Sequence, residues 1–216
     1  MRDRIIDFIK RNRVTTTEVA DCLGKTGAVD GVVPINRGHF CVGVIRWTYA
    51  SDESNWQVHK DIMDTQEAEI IFIDSFNCNG RAVIGELVSK YLLLYCQAAA
   101  IISNAPMRDA GAIIRENYPI WAKGVSPVGC FNTKPVIDIG QGIKEKAKEF
   151  YDGAIAVCDD CGVVVIPKEL HTEEFLNKLN FIENQEDIWF DRLDHLHENT
   201  FEIVCEKKYL KEIESR

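Results

Sequence analysis

The sequence predicts an α/β domain with a C-terminal helical extension, and three observations carry that reading. Between Gly85 and Ala122, amphipathic stretches and short apolar runs alternate as helix, strand, helix, strand. Short β-branched runs bounded by turn residues follow, at 154–157 and 163–166. From about Lys168 the chain is highly charged and patterned as helix. A length of 216 residues suits one domain with a sizeable core. The expected partition is 1–167 for the α/β domain and 168–216 for the extension, packed on the same or a neighbouring subunit.

In chain order, Ile5, Ile6, Phe8 and Ile9 mark an amphipathic first helix. Thr15 to Glu18 reads as an N-cap with a nearby acid, opening a second helix through Cys22 and Leu23 that Gly24 ends. Lys25-Thr26 resembles the tail of a phosphate-binding loop, but the first glycine of such a loop belongs at position 19, which is Val19. Strands are expected at 39–47 and 69–74, with a helix at 56–63 between them. A helix at 85–96, a strand at 98–103, a helix at 109–117 and a strand at 120–122 come next. Further β segments are expected at 136–139, 154–157 and 163–166, with turns at Asp152-Gly153 and 160–162.

Asp and Glu number 34 against 25 Lys and Arg, a formal net charge of −9, which argues against a broad electrostatic grip on nucleic acid or anionic lipid. The longest mostly apolar stretch, 91–102, is too short to span a bilayer, and the expected location is the cytoplasm. Eight scattered cysteines fit a reducing compartment. Cys158 and Cys161 have the spacing of a metal half-site, but a zinc ribbon needs a second pair, so two packed thiols flanking a turn is the favoured reading. Asp159-Asp160 suits a hairpin turn better than a metal cage. His195 and His197 are expected on different sides of an exposed helix, Asp21 and His59 in capping or core roles, and Lys123 in solvent.

The segment from Ser103 to Asp109 closes an apolar run and sets Arg108 beside Asp109 at the end of a buried strand. A guanidinium clamps a carboxylate through two parallel hydrogen bonds, and a neighbouring carboxylate can hold a hard divalent cation, so the pair can grip a small keto acid and its metal together. The plainer alternative is a salt-bridged loop arginine followed by a helix N-cap.

Five motifs in order give a more specific signal: 17–24 (TEVADCLG), 85–88 (GELV), 107–109 (MRD), 118–124 (YPIWAKG) and 159–167 (DDCGVVVIP). With them the chain resembles the RraA-like family, which joins regulators of ribonuclease activity A to metal-dependent aldolases for 4-hydroxy-4-methyl-2-oxoglutarate and 4-carboxy-4-hydroxy-2-oxoadipate. The resemblance implies a swivelling β/β/α domain assembled as a homotrimer or a pair of trimers, with the active site at a subunit interface. It assigns Arg108 to the pyruvyl carboxylate and carbonyl, Asp109 to a magnesium or manganese ion, Glu86 to the metal's surroundings and its waters, and the Leu87 and Val88 amides to the substrate carboxylate. A glutamate from a neighbour's C-terminal helix completes the metal site in longer members, which makes Glu186 the candidate and Glu183 the fallback.

The implied activity is cleavage of a 4-hydroxy-2-oxo acid to pyruvate, with oxaloacetate decarboxylation through the same enolate. The family also implies a rival, a non-catalytic regulator that binds a ribonuclease or helicase. Three features depart from the family pattern, one of them the absence of a Gly-rich exit from the 85–96 helix, replaced by 96–100 (CQAAA). Ala105-Pro106 stands where many members carry glycine, and the separation of Glu86 from Arg108 is one position longer than usual, implying an extra residue in the intervening helix or its exit.

Overall fold

A computed structural model of the chain describes residues 1–137 and 139–210. Seven strands form one sheet in the order β1-β5-β4-β3-β2-β6-β7. The central strands β2 (Cys41–Ser51), β3 (Ile70–Phe76), β4 (Ala100–Ser103) and β5 (Ile120–Ala122) are mutually parallel. Three antiparallel strands flank them: β1 (Val33–Pro34) on β5, β6 (Ile155–Asp159) on β2, and β7 (Gly162–Ile166) on β6. The chain just before β1 reaches across to β7, where the Val29 N–H donates to Val163 O at 2.9 Å and the Val165 N–H to Gly27 O at 2.9 Å. The Trp121 indole donates to Asp159 O at 2.7 Å across the same gap, so the sheet curls into a nearly closed barrel.

Strand alternation sorts the core into three layers. Ile70, Phe72, Ala100, Ile102, Trp47, Trp121, Ala156, Cys158 and Val165 fill the barrel interior. Their neighbours Ile71, Ile73, Ile101 and Ile120 point outward beneath Val58, Val88, Leu92 and Ile113. Those four come from α3 (Trp56–Asp61), α4 (Glu86–Lys90) with its following turn, and α5 (Ala110–Arg115). Ile155, Val157, Val164 and Ile166 face a third layer built by α1 (Arg2–Asn12), α2 (Thr16–Cys22) and α7 (Glu173–Leu196). Because both faces are covered, the strands read as continuous apolar runs rather than as alternating ones.

The expected cap of α2 is present as a full capping box between Thr15 and Glu18. The extension folds back on itself: the Tyr209 hydroxyl accepts from Gln185 Nε2 at 2.9 Å and from Trp189 Nε1 at 3.1 Å. Residues 211–216 of the expected extension lie outside the described residues. Among the described residues no helix is long and apolar enough to cross a membrane.

Two sequence expectations need correction. No strand forms at 136, 137 or 139, and Asp138 lies outside the described residues. β2 already pairs with β3 on one side and β6 on the other, so no sheet edge is free there; Val136 and Ile137 are exposed instead. A helix, α6 (Gln141–Tyr151), follows, seating Tyr151 against Phe72 with ring centroids 4.4 Å apart. The expected helix at 85–96 is α-helical only to Lys90; residues Tyr91–Tyr95 form a π turn, closed by the Cys96 N–H on Tyr91 O at 3.0 Å. Such turns are wider than an α-helical turn, and this one lies downstream of Glu86.

Candidate active site

Loops leaving the C-terminal ends of the parallel strands converge on one polar cavity of about 90 Å³, lined by Asn55, His59, Gly85, Leu87, Val88, Arg108, Asp109, Gly129, Cys130 and Asn132, among others. Open α/β sheets bind ligands at this end of their strands. The Arg108 loop is stitched in from both sides. The Arg108 N–H donates to Ile84 O at 3.0 Å, the Val83 N–H to Pro106 O at 3.0 Å, and the Met107 N–H to Gly124 O at 2.9 Å. Ala105-Pro106 lies behind the cavity and supplies a carbonyl to this ladder, so the missing proline N–H removes no donor from the lining.

Asp109 occupies the N-cap position of α5, but its side chain caps nothing there. Its backbone is left-handed, with φ 60° and ψ 36°, a conformation an aspartate adopts at some cost. That twist turns the carboxylate toward α4, where Oδ2 accepts the Glu86 N–H at 3.0 Å and stands 3.5 Å from Arg108 Nε. The ordinary N-cap reading therefore fails at the side chain. The pair is also less buried than the strand before it suggests: the Arg108 and Asp109 side chains are 53% and 42% exposed, so their mutual attraction is solvent-screened and adds little to stability.

Two glycines make the close approach possible. A Cβ on Gly85 would stand 2.2 Å from Asp109 Oδ2 and 2.6 Å from Arg108 Cγ, and one on Gly129 would stand 2.8 Å from Arg108 Nη1. Neither residue is left-handed; space, not backbone conformation, requires glycine there.

Of the sequence candidates, Arg108, Asp109, Leu87 and Val88 share the cavity. Glu86 stands beside it and contributes its amide to Asp109, while its side chain is not among the lining groups. Within one chain Glu186 does not reach the cavity. It lies on α7 against α2, where burial first, then Glu18, Asp21 and Asp187, hold its carboxyl above the usual range. Glu183 is raised in the same way and accepts from Asn12 Nδ2 at 3.2 Å. Sequence reasoning passed over Asn55 and Asn132 and set His59 aside. Asn55 and His59 stand four positions apart at the start of α3, so a polar pair repeating at one-turn spacing was the available signal. Asn55 is buried, its Nδ2 donates to Val83 O at 2.8 Å, and its Oδ1 has no partner.

The remaining candidates have structural roles. Asp159 accepts from the Thr16 amide and hydroxyl at 2.8 and 2.7 Å and from the Cys161 amide, fixing the β6–β7 hairpin to α2. Cys158 is buried and Cys161 exposed. Asp21 pairs with Lys25 at 2.7 Å, and Lys123 is exposed outside the cavity. His195 pairs with Asp191 on the exposed side of α7, and His197 is its left-handed C-cap.

Fold and cavity together define a curled α/β barrel with a small polar cavity where the parallel strands end. The chain belongs to the RraA-like family: the model described as Aldolase/RraA matches residues 16–165. Among solved structures it is similar to an uncharacterized protein from Pseudomonas syringae pv. tomato (20% identity, TM-score 0.69, covering 93% of this chain and 96% of that one). It is also similar to Streptomyces coelicolor RraAS2, described as an unusual member of the RNase ES inhibitor RraA family (19%, 0.68, 88% and 98%). A third similar structure is the RNA-processing inhibitor RraA from Thermus thermophilis (17%, 0.55, 70% and 92%). No curated protein sequence matches the chain.

Proposed function

We propose that the chain is a divalent-metal-dependent lyase that cleaves a 4-hydroxy-2-oxo acid of the 4-hydroxy-4-methyl-2-oxoglutarate type to pyruvate and also decarboxylates oxaloacetate. The observation that carries this reading is the convergence of Arg108, Asp109 and the start of α4 on one small polar cavity. Of the first amides of α4, that of Glu86 is taken by Asp109 and that of Ser89 by Gly85 O, leaving those of Leu87 and Val88 to meet a substrate carboxylate. Arg108, poised beside them, offers a fork to the carboxylate and carbonyl of a pyruvyl unit. Bond cleavage leaves negative charge on the three-carbon fragment, and the guanidinium stabilises it as it develops.

Among the described residues no three His, Cys, Asp or Glu side chains gather as a closed metal cage. A magnesium or manganese ion that keeps several waters needs only one or two carboxylates, and Asp109, turned away from capping, fits that requirement. Glu86 stands next to it, and Glu186 from a neighbouring subunit of a trimer or hexamer would complete the set. The bound ion would supply Lewis-acid stabilisation of the same developing charge.

The test is pyruvate release from oxaloacetate and from 4-hydroxy-4-methyl-2-oxoglutarate, with magnesium or manganese and with a chelator. Metal-dependent release that is abolished in folded Arg108→Ala and Asp109→Ala variants supports the lyase. Silence on both substrates with either metal favours the rival, a non-catalytic regulator of a ribonuclease or helicase, a role for which this family also provides.

A further inference from the structure

Among the described residues that line the cavity, one buried side-chain polar atom has no hydrogen-bond partner: Asn55 Oδ1. Asn55 is 6% exposed and its backbone is held on both sides. Its N–H donates to Phe131 O at 3.0 Å, and its carbonyl accepts the His59 N–H at 3.2 Å to open α3. At the N-cap of a helix an asparagine ordinarily uses this oxygen to accept a backbone N–H, yet here no side-chain cap forms. Nδ2 instead donates to Val83 O at 2.8 Å, which fixes the plane of the amide. A buried acceptor left unpaired is costly, and a bound donor relieves that cost.

The segment that fixes this amide also fixes Arg108. Val83 O accepts from Asn55 Nδ2, and the next carbonyl, Ile84 O, accepts the Arg108 N–H at 3.0 Å. Gly85, which follows, is the N-cap of α4, the helix that carries the Leu87 and Val88 amides. One short stretch of chain thus supports Asn55, Arg108 and the start of α4 around the same cavity.

We propose that Asn55 is a specificity-determining residue: its Oδ1 accepts the hydrogen bond of the substrate's 4-hydroxyl group and so selects 4-hydroxy-2-oxo acids over 2-oxo acids that lack the hydroxyl. This inference rests on the lyase reading and deepens it. At neutral pH the carboxylates and the carbonyl of such a substrate are acceptors, and the 4-hydroxyl is its only donor. The acceptors match Arg108 and the α4 amides; the donor matches Asn55 Oδ1. An amide oxygen is too weak a base to keep the proton, so Asn55 aligns the O–H without removing its hydrogen. Oxaloacetate in its keto form has no hydroxyl and leaves Oδ1 unpaired. Sites built around a substrate hydroxyl discriminate sharply against the analogue without it for this reason.

The experiment measures kcat/KM of the full chain, with manganese, on 4-hydroxy-4-methyl-2-oxoglutarate and on oxaloacetate, for the parent, Asn55→Leu and Asn55→Asp. Leucine matches asparagine in size and has no acceptor; aspartate keeps an acceptor oxygen and loses the donor to Val83 O. In Asn55→Leu the ratio of the two kcat/KM values should fall by roughly tenfold or more, the scale of one hydrogen bond to a substrate hydroxyl. In Asn55→Asp it should stay closer to the parental ratio. Equal losses on both substrates in Asn55→Leu would overturn the assignment, because an oxygen that serves both reactions alike does not read the hydroxyl. A ratio as low in Asn55→Asp as in Asn55→Leu would overturn it too, since the bond to Val83 O would then be what matters. Should Asn55→Leu not fold, Asn55→Asp decides by itself: a parental ratio supports the acceptor, and a fall of about tenfold overturns it. A parent silent on both substrates defeats the lyase reading and this inference with it, whereas an active parent whose ratio survives in Asn55→Leu defeats this inference alone.

Discussion

The Asp109 carboxylate takes the space that a side chain at position 85 would need. A methyl group at position 85 would meet Asp109 Oδ2 at 2.2 Å, so Gly85→Ala must push the carboxylate away from the Glu86 amide and from Arg108. The expected outcome is a folded protein whose rate of pyruvate release falls by about 10²-fold, as when a reacting group is misplaced by about 1 Å. Circular dichroism and the pyruvate assay on the same preparation check it, and an unimpaired Gly85→Ala enzyme would show that Asp109 need not sit where it does. Arg108 and Asp109 were legible in the sequence because two opposite charges closed an apolar run. Asn55, Gly129 and Asn132 were not, since each becomes informative only when loops far apart in the chain meet. His59 was visible but read as a core or capping residue, and its place at the cavity is set by the start of α3.

At the scale of elements, β2, β3 and β4 are joined at their C-terminal ends by Asp74. Its carboxylate accepts from the Trp47 indole of β2 at 3.4 Å, from Asn104 just past β4, and from the Ser75 amide. Burial is the largest influence and raises its pKa above the ordinary 3.8, outweighing these hydrogen bonds. A carboxyl whose folded pKa exceeds its unfolded one holds an extra proton in the folded state between the two values, so stability falls as pH rises through that window.

Asp74→Asn has no such titration. Beyond the constant offset of the amide, the stability of the variant relative to the parent should therefore climb from pH 3.8 upward and level off once the folded carboxyl is ionised. Urea midpoints of the two proteins across pH measure this; a variant-minus-parent difference that falls as pH rises from 3.8 would contradict it. The strands themselves were largely legible, because β-branched runs mark them whether one face or both are covered. α6 was missed because its apolar residues Ile143, Ala147 and Tyr151 are diluted by lysine and glutamate, and because the pairing that leaves 136, 137 and 139 without a sheet edge is non-local. The π turn after Lys90 was not legible, because it shows only in the hydrogen bond of the Cys96 N–H to Tyr91 O.

For the whole molecule, Leu87 at the cavity is 81% exposed, and farther along the α4 segment and on α5 the apolar Tyr95 and Ile114 are 73% and 57% exposed. The proposed trimer or hexamer would cover such side chains and bring a neighbour's Glu186 to the cavity. If Glu186 acts across the interface, inactive Arg108→Ala and Glu186→Gln proteins, dissociated and reassembled together, should regain part of the parental pyruvate release; mixtures as inactive as their components would place Glu186 outside the site. The central claim is that a cation seated by Asp109 and a keto acid held by Arg108 occupy one cavity. The most direct measurement is manganese binding followed by electron paramagnetic resonance, with and without pyruvate. Pyruvate should tighten manganese binding to the parental protein, Asp109→Asn should lose the ion, and Arg108→Ala should bind it without responding to pyruvate. Undiminished manganese binding by Asp109→Asn, or a full pyruvate response in Arg108→Ala, would contradict the account.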